Sequence, residues 1–165
     1  MREITTIVTH EVDGEEKQFQ IQKLDALEGS VLLKFVVQKF VPLFRSIDDV
    51  FAEPEVEEGK DVEAAAKEVA AQRTIDLMSI IPKALETISN EELIDFEKRC
   101  LRRVQIMYAA GWQPVMKNNS FGCDEVQYDP FLALLLCWDV VRFNYSGFFD
   151  GKGLSSALKS LNTPR

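Results

Sequence analysis

One histidine, three cysteines and an acidic stretch are the residues of this chain whose chemistry could extend beyond packing. His10 lies in a segment of alternating polarity, with Ile4, Thr6, Val8 and Val12 at the same parity. A metal site or a nucleophile–base pair needs a second histidine, a cysteine or clustered carboxylates close by. No second histidine or cysteine stands near His10 in sequence, so it reads as a strand histidine. Cys100, Cys123 and Cys137 are odd in number and widely spaced, a poor disulfide framework. Cys100 and Cys137 fall in apolar helical patterns and read as free buried thiols. Glu53, Glu55, Glu57, Glu58 and Asp61 do not follow the spacing of a calcium-binding EF-hand loop, and their glycine is not at its turn position. No glycine-rich phosphate loop, GxSxG or HExxH is present. The expectation is a chain with no catalytic residue, no metal and no cofactor.

Binding chemistry is better represented. Lys98, Arg99, Arg102 and Arg103 form the basic cluster, expected on one helix opposite its apolar stripe. They read as a solvated face paired with acids such as Asp95. The alternative is electrostatic docking of an acidic partner, a second copy included. The chain has eleven phenylalanines. Phe35, Phe40, Phe44 and Phe51 gather near the first helix, and Phe131, Phe143, Phe148 and Phe149 near the last. One shared core explains them. The alternative is an apolar groove that receives a partner segment, with Phe35, Phe40, Phe44, Phe143, Tyr145, Phe148 and Phe149 as its contacts. Phe148 and Phe149 lie between Gly147 and Gly151 and are expected beyond the helix end, where glycine lets the backbone turn.

The elements that must carry these residues are legible from period and punctuation. Residues 4–22 read as a β-hairpin closed by Asp13-Gly14, with Phe19 and Ile21 facing inward and Gln18, Gln20 and Gln22 outward. Asp25 and Glu28 open a helix carrying Leu27, Val31, Leu32, Phe35, Val36 and Phe40. The acidic stretch at 53–61 reads as a flexible loop, and an alanine-rich helical segment follows it. Ser89 and Glu92 open another helix, with Leu93, Phe96, Cys100, Val104 and Met107 on one face and Gly111 as its C-cap. Residues 112–128 lack helical period; a short hairpin about Asn118-Asn119 or an ordered loop is expected. Asp129-Pro130 starts the last helix, apolar nearly all round through residue 143 and so expected at the centre. Residues 151–165 read as a frayed tail.

The 165 residues suit a single domain over 1–165. The fold class expected is α+β and mainly helical, a hairpin packed with four or five helices. No stretch approaches the roughly 20 apolar residues of a membrane span, and the start of the chain lacks a signal-peptide pattern, so no membrane association is expected and the protein should stay where it is made. A net charge of −8 disfavours nucleic acid, whose affinity comes largely from phosphate neutralisation, and favours solubility.

Three segments in order carry a resemblance. They are the charged hairpin HEVDGEEKQFQIQKL, the start DALEG with the apolar helix VLLKFVVQKF, and the ending VVRFNYSGFF. In this order they resemble the tail assembly chaperones of long-tailed bacteriophages; the acidic insert at 53–63 and the segment around Cys123 depart from that pattern. The resemblance implies a non-enzymatic chaperone in the host bacterial cytoplasm. Its client would be the tape measure protein, kept soluble while tail tube subunits assemble. A longer, frameshifted form would recruit the tail tube protein, and self-association is compatible. A tail or connector protein retained in the virion and a small regulatory binding module are the rival expectations.

Overall fold

A computed structural model describes residues 3–39, 82 and 85–149, with the backbone alone at 148–149. Contacts divide the chain into two compact units, Met1–Phe35 with Asn90–Tyr145 and Val36–Ser89 with Ser146–Arg165.

The first unit is built on an antiparallel sheet of order β1-β2-β3-β4. Strands β1 (Thr5–Val12) and β2 (Glu15–Gln22) pair from Thr5↔Gln22 to Val12↔Glu15. Only Asp13 and Gly14 separate them, both at positive φ (52° and 81°), the turn whose twist matches that of the strands. The even residues of β1 turn inward, and Phe19 and Ile21 of β2 are fully buried, as the alternation predicts. Asp25 caps helix α1 (Ala26–Lys39): its Oδ1 accepts from the backbone N–H of Leu27 (3.0 Å) and Glu28 (2.9 Å). Leu32 and Val36 are buried, whereas Leu27 and Val31, expected on the same stripe, are exposed.

Helix α2 (Asn90–Leu101) buries Phe96, Cys100 and Leu101. It stops there, and the expected continuation through Met107 is corrected. Arg102 and Arg103 turn the chain, and β3 (Val104–Tyr108) pairs with β2 through Phe19↔Ile106 and Ile21↔Val104. Val104 and Ile106 are β-branched and alternate with Gln105; pairing with β2 buries both completely, which the helix would not do. Gly111 is correspondingly not a helix cap but the first residue of β4 (Gly111–Pro114), paired with β3. The expected short hairpin is present: β5 (Met116–Lys117) and β6 (Ser120–Phe121) flank Asn118 and Asn119, both at positive φ. The α+β class therefore stands with a larger sheet share than the hairpin alone.

After the short helix α3 (Asp124–Gln127), Asp129 caps α4 (Pro130–Phe149), its Oδ1 accepting from the Leu132 N–H at 2.9 Å. Leu132, Leu136, Cys137, Val140 and Val141 are buried, as a central helix requires. The helix runs through Gly147 and Phe149 instead of ending near residue 143; one glycine lowers helix propensity without breaking a helix. In the second unit, Val36 and Ile88 are buried and Lys39 Nζ donates to the Thr87 carbonyl at 3.2 Å. The expected acidic loop at 53–61, the alanine-rich helix and the tail at 151–165 lie outside the described residues.

Candidate partner-binding surface

Among the aromatic candidates, Phe35 is half-buried on α1, its ring stacked on Phe96 with centroids 5.0 Å apart. Phe143 is half-buried on α4, with Lys23 Nζ 4.0 Å from its ring centroid. The same ammonium donates to the Phe143 carbonyl, and burial lowers its pKa. Tyr145 is buried, and its hydroxyl donates to the Gly29 carbonyl at 2.7 Å, tying α4 to α1. Burial pushes the Tyr145 phenol above its ordinary range. Phe40 and Phe44 lie outside the described residues; Phe148 and Phe149 are helical, their side chains outside the description.

The basic cluster does not share one helix. Lys98 and Arg99 occupy the last turn of α2, and Arg102 and Arg103 form the turn into β3. Arg99 Nε donates to Asp95 Oδ2 at 2.7 Å, and its Nη1 lies 3.5 Å from Glu28 Oε1. These bonds raise its pKa. Arg103 Nη2 lies 3.5 Å from Asp25 Oδ2, and Arg102 Nη2 donates to Asn119 Oδ1 at 2.6 Å. All three guanidiniums thus have internal partners.

The nucleophilic and ionisable groups are likewise absorbed. Cys100, Cys123 and Cys137 are free and buried. Burial raises the Cys137 thiol well above its ordinary value, and neighbouring Cys100 adds to this; burial also raises Cys123. These are poor conditions for a thiolate nucleophile. His10 Nε2 lies 2.6 Å from Asp139 Oδ2 on α4, a partner 129 residues away that sequence proximity could not reveal. Arg142 Nη2 is 3.8 Å from the other oxygen of that carboxylate. Tyr108 donates to Glu125 at 2.5 Å. Among the described residues no group of three or more His, Cys, Asp or Glu is placed to hold a metal ion, and no helix is long and apolar enough to cross a membrane.

What the surface offers instead is exposed apolar area. Leu27 is 83% and Val31 49% exposed, one helical turn apart on α1. Ile4, Ile7, Ile94, Phe121, Tyr128 and Phe131 are exposed elsewhere. The signal for Leu27 and Val31 was their i, i+4 spacing, offset around the helix from the Leu32–Val36 pair.

The family model described as phage tail assembly chaperone protein, TAC, matches residues 14–156. Searches among curated proteins and among solved structures find no match. The match spans β2 to β6, the described helices and the whole segment between α1 and α2, with β1 lying before it, and on it the chain belongs to the phage tail assembly chaperone family.

Proposed function

We propose that this chaperone works without catalysis, by covering apolar segments of the tape measure protein and holding that client soluble in the host cytoplasm until tail tube subunits assemble. The observation that carries this reading is exposed apolar area on an acidic chain. Leu27 and Val31 leave large hydrocarbon surfaces in water, on a molecule of net charge −8. Covering such surface is favourable by about 2.5 kcal/mol per 100 Å² before ordering costs. Like charge keeps loaded complexes apart. Phe35, Phe40, Phe44, Phe143, Phe148 and Phe149 extend the candidate contacts. A longer, frameshifted form would bring the tail tube protein to the complex, and release would follow from competition with tube subunits.

The test is co-expression with the tape measure protein. The client should stay soluble with the native chain and precipitate without it. The double substitution of Phe148→Ala and Phe149→Ala should lower the soluble fraction with the thermal transition nearly unchanged. Recovery of the chain from purified mature virions by mass spectrometry would instead identify a structural tail component.

A further inference from the structure

β1 is an edge of the sheet, and its register with β2 is unbroken from Thr5 to Val12. In a two-residue hairpin the closing pair, here Val12 and Glu15, exchanges both backbone bonds, and every second pair repeats this. His10, Val8 and Thr6 therefore spend their backbone groups on β2. Thr5, Ile7, Thr9 and Glu11 direct their N–H and C=O outward, and no strand among the described residues pairs with them. Edge strands are ordinarily defended by shortness, proline, charged side chains (lysine above all) or a bulge. The opposite edge, β4, is four residues long and ends in Pro114. β1 has eight residues with no proline, lysine or bulge and one exposed charge, Glu11 near its end, and Ile7 at its centre is 55% exposed.

We infer that the open edge of β1 takes up an extended segment of a client polypeptide, uncharged and β-branched at its centre and basic at its ends, as a further antiparallel strand. Charge selects this occupant. Exposed Glu3 and Glu11 stand on either side of Ile7, with exposed Asp13 beyond. A second copy is the wrong partner. In the register that pairs all four outward residues, Glu3 of each copy falls opposite Asp13 of the other. A shift of two residues one way puts Glu3 opposite Glu11; the other way sets each Glu11 against Ile7 and leaves Thr5 facing the turn residue Asp13, outside the strand. Like charges directly opposite destabilise a strand pair. Backbone bonding supplies affinity with little demand on sequence, which suits a client with many similar apolar stretches. The inference rests on the chaperone reading only for the source of that segment.

The probe is a fluorescein-labelled peptide, Lys-Thr-Val-Thr-Val-Thr-Val-Thr-Lys, titrated with the full chain by fluorescence anisotropy. Ile7→Pro removes an outward N–H and no bond of the β1–β2 ladder, so the hairpin tolerates it. It should weaken binding by roughly tenfold or more through the lost backbone bonds. The same peptide N-methylated throughout its centre should not bind the native chain, a readout independent of how the variant folds. Glu3→Gln with Glu11→Gln should weaken binding and flatten its salt dependence. Equal binding of the N-methylated peptide, unchanged binding by a folded Ile7→Pro chain, or a dimer of the free chain that Ile7→Pro dissolves would each overturn the inference. If peptide binding fails while the client stays soluble, only the edge is wrong. If the tape measure protein precipitates regardless, the chaperone reading is wrong whatever the peptide does.

Discussion

Asp139 is the one charged residue buried among the described residues, only 8% exposed. Its carboxylate needs partners, since an uncompensated buried charge is costly. His10 provides one at 2.6 Å, its ring tilted against Phe19 at 6.0 Å, and Arg142 provides a weaker one. His10→Ala should therefore cost about 2 kcal/mol, a fall in thermal midpoint of about 4–8 °C for a chain of this size, measured by circular dichroism. Glu97 has the opposite problem. Burial raises its carboxyl above the ordinary glutamate value of 4.5, so the folded state holds the proton more tightly than the unfolded chain does. Its contribution is then fully present below pH 4.5 and lost as pH rises through the folded value. Glu97→Gln should raise the thermal midpoint at pH 7, with the gain vanishing below pH 4.5. Gly122 is a steric case: a Cβ there would stand 2.6 Å from the Pro114 carbonyl oxygen, where the Gly122 N–H bonds Val115. Gly122→Ala should cost about 1–3 kcal/mol, read from denaturant midpoints. None of these three environments is visible in sequence, because each depends on groups brought together by the tertiary fold.

At the scale of elements, legibility followed punctuation. Asp13-Gly14, Asp25 and Asp129-Pro130 each specify a local geometry through one or two residues, and each stands where those residues place it. Asp25→Ala removes the cap of α1 and the acid facing Arg103, and should cost about 1 kcal/mol, detectable as a lower thermal midpoint. The passage from α2 to β3 has no such mark. Arg102-Arg103 is neither glycine nor proline, and Phe96, Cys100, Val104 and Met107 keep helical spacing across the turn. The alternation of Val104, Gln105 and Ile106 competes with that spacing, and pairing with Phe19 and Ile21 decides between them. A partner some 80 residues upstream leaves no local trace. The candidate surface was half legible for a related reason. Aromatic residues mark apolar area but not its direction, and Tyr145 turned inward while Leu27 turned outward.

At the scale of the whole molecule, the chain combines an acidic net charge with apolar side chains left in water, and family membership supplies a role in tail assembly to which both suit. The most direct measurement is the soluble fraction of co-expressed tape measure protein with the native chain and with Leu27→Ser plus Val31→Ser. Both positions are exposed, so the double variant should melt within about 2 °C of the native chain. A chaperone acting through this surface should leave the client soluble with the native chain and aggregated with the folded double variant. A client equally soluble with both, or equally soluble with no chaperone at all, would contradict that role.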